Sequence, residues 1–187
     1  ARTLNTTVVG KGEMIIRDAR SSTNELNQTS LAGRGITRFT WDNRLRTTNL
    51  SNNSYRMVMD GNVQMLHKSL DGTVGKLTSN QLEAITANAS AADSENAPDQ
   101  ALQGMDLKQI EAQGNVYIET DARSVECDMF DYNVQTGFAA LVAVPSRTVA
   151  IRTTENPYPV RATNFVWNMD PAIDTITILG LKGSSPH

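Results

Sequence analysis

The chain has 187 residues, 39% hydrophobic and 20% charged, with a net charge of −3 and one cysteine. That length suits one domain with a real core, or an extended array of small units. The balance offers no basic nucleic-acid surface, lone Cys127 excludes an internal disulfide or a multi-cysteine zinc site, and the longest apolar run, Phe138–Val144, falls far short of the roughly 20 residues of a membrane-spanning helix.

Taken from the N-terminus, most windows alternate apolar and polar residues with period two and are rich in Thr, Val, Asn and Ile, the pattern of half-buried strands. Helix signals are nearly absent, and Ala1 opens no recognisable secretory leader. Four entry strands stand out: Gly12–Arg17, Gly61–Met65, Gly114–Ile118 and Arg147–Arg152. Each precedes a second strand, at Ile36–Asn43, Val74–Asn80, Cys127–Asn133 and Ala162–Asn168. A third run follows each, at Leu45–Leu50, Leu82–Ile85, Phe138–Val144 and Ala172–Leu181. The Asx residues closing the second strands suit tight turns, because their side chains bond the local backbone and tolerate left-handed conformations.

The pattern is plainest in Arg56–His67, two alternating runs joined at Gly61-Asn62, with Met57, Met59, Val63 and Met65 on one parity. A glycine inside such a run marks a bend or a bulge. The phrase returns at Gly114-Asn115, and Gly61 to Asn80 and Gly114 to Asn133 both span 19 residues. Strand units that cannot bury an apolar face alone must stack on neighbours. The expectation is a single all-β domain over residues 1–187, built from about four repeats near 8–50, 51–85, 109–144 and 145–181. Residues 86–108, polar and interrupted by Pro98, read as a long insertion with a short helix over Asp99–Met105.

The recurring Gly-Asn-Val-x-apolar phrase, with its fixed spacing to an Asx, resembles the OstA-like domain of the lipopolysaccharide-transport proteins LptA, LptC and the N-terminal part of LptD. Val58–Ile85 and Gln109–Val144 carry the resemblance most clearly. The family implies a twisted, V-shaped antiparallel β-jelly-roll (a β-taco) in the periplasm of a Gram-negative-type bacterium. Its apolar interior holds the acyl chains of lipopolysaccharide-like amphiphiles, and its ends join other OstA-like components or further copies. No catalytic group, metal or cofactor is implied.

On that reading the interior candidates are Met57, Met59, Val63, Met65, Val116, Ile118, Val149 and Ile151, which share the inward parity of the repeats. Burial of methylenes draws acyl chains at roughly 0.8 kcal/mol each, and methionine adapts to irregular ligands. Arg34, Arg38, Arg44 and Arg46, interleaved with Phe39 and Trp41, are the candidates for a phosphorylated head group. The aromatics Phe39, Trp41, Phe130, Tyr132, Phe165 and Trp167 predict a ladder, structural or sugar-stacking. For catalysis the sequence is poor: Cys127 reads as a small buried hydrophobe sharing its face with Val125 and Met129, and neither His67 nor His187 is a persuasive base. Asp128 and Asp131 are three apart on a strand, Asp170 and Asp174 flank Pro171 in a turn, and no enzyme is expected. The competing expectation is a structural or adhesive β-module that self-associates end to end or binds glycan or protein.

Overall fold

A computed structural model describes residues 5–18, 31–50, 54–88, 105–156 and 158–179. Among these every regular element is a strand: β1 (Thr6–Val9), β2 (Gly12–Asp18), β3 (Gly35–Trp41), β4 (Arg44–Asn49), β5 (Ser54–Ser69), β6 (Val74–Asn88), β7 (Met105–Glu119), β8 (Arg123–Asn133), β9 (Phe138–Val142), β10 (Val149–Thr153), β11 (Val160–Ala162), β12 (Asn164–Asn168) and β13 (Thr175–Leu179). All belong to one open sheet whose pairs are antiparallel. No helix among the described residues is long and apolar enough to cross a membrane.

The sheet is organised by four long strands, β5 to β8, whose halves have different outer neighbours. Residues 55–60 of β5 pair with β4, whereas 64–69 pair with β3. Likewise residues 129–133 of β8 pair with β9 and 123–126 with β10. Two half-sheets therefore share the long strands. Half-sheet I runs β1-β4-β5-β6-β7-β8-β9-β12-β13, and half-sheet II runs β2-β3-β5-β6-β7-β8-β10-β11. Both turn the same face inward on one apolar core. β2 also packs against β7 without being its sheet neighbour, so the sheet folds back over itself.

The line between the halves is written by the repeated Gly-Asn. Gly61 and Asn62 have φ of 86° and 42°, and Gly114 and Asn115 have 76° and 50°. Each pair inserts one extra residue opposite its neighbour, between Asp60↔Gln81 and Val63↔Ser79 for β5, and between Gln113↔Met129 and Val116↔Cys127 for β7. Such a bulge bends the strand and strengthens its twist. Glycine is required at the first position for a second reason as well. A Cβ on Gly61 would lie 2.5 Å from Asn43 Cγ, and one on Gly114 would lie 2.7 Å from Asn80 Nδ2. The Asx of one unit thus seats on the glycine of the next. Asn62 Nδ2 donates to Asp42 Oδ2 at 2.8 Å, and this bond, helped by Lys11, lowers the Asp42 pKa.

Several expectations need correction. Asn80 does not end a strand; β6 runs through it, so Leu82–Ile85 continues the second strand instead of starting a third. β6 extends to Asn88 and β7 begins at Met105, which removes 86–88 and 105–108 from the expected insertion. The helix expected over Asp99–Met105 falls outside the described residues except for Met105, which opens β7. Met129 is 45% exposed and does not share the buried face of Val125 and Cys127. The reason is geometric: opposite each Gly-Asn bulge the partner strand changes parity, so β8 turns Val125 and Cys127 inward on one side of the line and Phe130 and Tyr132 on the other. Strands β1 and β11 were not anticipated. Along the sheet β3 and β4 pair with β5, β6 with β7, and β8 and β9 with β10 and β12.

Candidate functional site

All eight interior candidates face the shared core. Met59 lies in a row of half-sheet I that runs Leu45, Met59, Leu82, Ala112, Phe130, Leu141, Phe165. Met65, Ile118 and Ile151 lie in the corresponding row of half-sheet II, with Met14, Phe39, Leu77 and Val125. Met57, Val63, Val116 and Val149 fill neighbouring rows, and none of the eight is more than 4% exposed. Six of the seven methionines are in this core, Met129 being the exception. The interior is predominantly apolar and continuous between the halves.

The aromatics are equally buried. Phe130 and Tyr132 stack at 6.1 Å, while Leu141 separates Phe130 from Phe165 and Ala139 separates Tyr132 from Trp167. They are core residues and leave no exposed stacking platform for a sugar. The Trp41 indole lies against Gly12, where a Cβ would approach Cζ2 to 2.2 Å.

The four arginine candidates are not brought to one site; only Arg44 and Arg46 share the outer face of one half-sheet. Arg38, on the outer face of half-sheet II, pairs with Glu13 at 2.7 Å. Arg44 and Arg46 sit on the outer face of half-sheet I, where Arg44 donates through Nε and Nη2 to Asp60 Oδ2 at 3.1 and 2.7 Å. Burial works to raise the Asp60 pKa, but bonds from Arg44 and Gln81 outweigh it and lower it. Arg34 lies in the bend that precedes β3. Arg38, Arg44 and Arg46 therefore occupy the opposite side of the sheet from the acyl-chain candidates.

Cys127 is buried, and desolvation first, then the neighbouring Asp128 charge, push its thiol up to about 12. It stays protonated at neutral pH, the opposite of an activated nucleophile. Asp128 is buried too, accepting from Val144 N at 2.9 Å and pairing with Arg147 at 2.6 Å, whereas Asp131 is on the outer face. His67 Nδ1 lies 2.9 Å from Thr37 Oγ1 inside the core. Asp170 and Asp174 shape the β12–β13 turn, where the Asp174 amide donates to the Asp170 carbonyl at 2.7 Å. His187 lies outside the described residues.

One feature had no signal in the alternation. Asp174 accepts a hydrogen bond from Trp167 Nε1 at 2.9 Å and pairs with Arg123, whose guanidinium lies 5.2 Å from the Trp167 ring centroid. Trp167 belongs to half-sheet I and Arg123 to half-sheet II, so the cluster ties the halves across the core. Beside it opens a cavity of about 210 Å³ bordered by the β5–β6 turn, the β7–β8 turn, Trp167 and Met169. Its border also carries Asp71, Asp121 and Asp174. A second, more polar cavity of about 450 Å³ lies against the bend of β7 and β8 beneath Arg147 and Arg161. Among the described residues no group of three or more His, Cys, Asp or Glu side chains is arranged to hold a metal. No protein-family model, curated protein or solved structure matches this chain.

Proposed function

We propose that this chain is a non-enzymatic, lipid-binding module of the cell envelope, in which the folded sheet is a V-shaped jelly-roll of the OstA-like type and the space between its half-sheets takes the acyl chains of an amphiphile such as lipopolysaccharide. The observation that carries the reading is the single Met-rich apolar interior enclosed by one folded sheet. In this conformation the interior side chains are buried, so uptake requires the half-sheets to part and the side chains to repack. Unbranched thioether side chains do this at lower cost than β-branched ones. The Arg123–Trp167–Asp174 cluster is the tie that must yield, and the cavity beside Trp167 and Met169 is the entry. The carboxylates bordering that cavity disfavour a bare phosphate there, which places an anionic head group elsewhere. Periplasmic location and docking to other OstA-like components follow from the family resemblance.

The test is methyl NMR of the chain labelled at its methionine methyls, titrated with lipopolysaccharide below its aggregation threshold. Uptake shifts the signals of Met57, Met59 and Met65 and leaves Met129 unchanged. Shifts confined to Met129, or no shifts, refute an interior site.

A second reading, end-to-end self-association, is favoured by the edges of half-sheet I. β1 reads Thr-Thr-Val-Val and β13 Thr-Ile-Thr-Ile-Leu, both uncharged and lacking proline. Among the described residues each has a neighbour on one side alone, and an edge of that composition invites pairing with another strand. Light scattering over a concentration series without lipid measures it, and Thr177→Lys on β13 should hold the chain monomeric.

A further inference from the structure

The outer face of half-sheet II carries a pattern that neither the interior nor the edges explain. Four successive strands each present one aliphatic residue and one cation two positions apart: Ile15 and Arg17, Ile36 and Arg38, Leu66 and Lys68, Val74 and Lys76. Because neighbouring strands are antiparallel, the pairs register as a checkerboard. One row reads Arg17, Ile36, Lys68, Val74, and the next reads Ile15, Arg38, Leu66, Lys76. The aliphatic members are 38–46% exposed. Among the described residues the outer face of these four strands holds one carboxylate against four cations, Glu13, paired with Arg38, and Glu119 of β7 stands opposite Lys76 at its border.

A strand face kept only for solubility carries polar groups or matched ion pairs. Here every cation has an exposed Ile, Leu or Val beside it across the strand pair, which costs solvation and gains nothing inside the fold. We propose that this face docks on the surface of an anionic lipid bilayer. The cations meet lipid phosphates while the aliphatics enter the boundary between head groups and acyl chains. The block has no exposed aromatic on which a nucleobase could stack, which argues against a single-stranded nucleic acid. The complementarity is to a dispersed negative surface, because the cations are spaced across the block instead of converging on a point. This inference is independent of the interior lipid site, which lies on the other face of the same strands.

The experiment is flotation of the chain with vesicles of phosphatidylglycerol and phosphatidylcholine, against vesicles of phosphatidylcholine alone. Binding to the anionic vesicles only, weakened by salt, is expected. Lys68→Gln and Lys76→Gln should each lower partitioning about fivefold, and Ile36→Thr with Leu66→Thr together about tenfold. Arg46→Gln removes the same charge from the outer face of half-sheet I and should leave partitioning unchanged. No binding to anionic vesicles overturns the proposal, as does an equal loss with Arg46→Gln. Loss on removing the lysines with no effect of the two threonine substitutions assigns the face to an acidic protein or another soluble polyanion, and also overturns it. Circular dichroism of each variant confirms that the sheet is retained, and the methionine NMR titration reports the interior site separately.

Discussion

On half-sheet I, Glu83, Glu111 and Asp131 stand side by side across β6, β7 and β8, held by Arg56 and by Gln109, which donates to Glu111 and Asp131 at 2.9 and 3.1 Å. On half-sheet II, the same three strands carry Lys76, Glu119 and Ser124 side by side, and among the described residues Lys76 makes no ion pair. The inner faces of the halves are interchangeable in character, both lined by Met, Leu, Ile, Val and aromatics. The outer faces differ in how their charges are arranged. Packing dictates the first face and leaves the second free, so the outer difference points to what each half meets. Half-sheet I gathers its carboxylates into one row held by Arg56 and Gln109; half-sheet II pairs Arg38 with Glu13 and Arg152 with Glu126 but makes no ion pair at Lys68 or Lys76 among the described residues.

The comparison is broken most severely at the tie between the halves. Trp167→Ala removes a buried indole and frees Arg123 and Asp174, and should cost about 3–5 kcal/mol in denaturant unfolding. Retention of full stability would show that the halves are held by the bends alone. Next come the bends. Gly61→Ala and Gly114→Ala each force a side chain into a left-handed backbone and against an asparagine, with an expected loss of about 2–3 kcal/mol each. A smaller loss at Gly114 would mean that Asn80, inside β6, yields more readily than Asn43, between strands.

The charge contrast predicts smaller effects. Burial, and then the Glu83 and Asp131 charges, raise the Glu111 pKa. Because the folded chain holds that proton more tightly than the unfolded chain, Glu111 favours the fold below the unfolded value of about 4.3 and loses this contribution as pH rises through the folded value. Glu111→Gln should therefore stabilise the chain by about 0.5 kcal/mol at pH 7, an advantage that fades as pH falls to the unfolded carboxyl range. A pH-independent difference would show that the effect is not protonation. The smallest expected change is on half-sheet II, where Lys68→Gln and Lys76→Gln should leave the unfolding midpoint within about 0.5 kcal/mol of the parent. A larger loss would mean that these cations support the fold and are not free for a partner.

Alternation made the all-β class legible, and the Gly-Asn recurrence marked the two bulges. The eight interior candidates were legible for the same reason, since parity names the buried face wherever a strand is unbroken. Met129 shows where this fails. Its inward reading required β8 to keep one parity, whereas the bulge lies on β7, and only the pairing of the two strands transmits it. Asn80 reads locally as a strand end because an Asx that seats on a neighbouring glycine has the same local sequence as one that closes a turn. Arg38 and Arg44 looked like neighbours in the chain, but the β3–β4 corner sends them to different half-sheets.

The sequence by itself determined what is local: strands from period two, bends from Gly-Asn, and an inward face from the apolar parity. Tertiary structure decided what depends on residues far apart in the chain. It closed Trp167 over Arg123, 44 positions away, and it aligned four separate aliphatic–cation pairs into one checkerboard. A single strand carrying Ile-Thr-Arg or Leu-His-Lys is unremarkable. Antiparallel register makes four of them a surface, because hydrogen bonding fixes which side chains stand opposite one another.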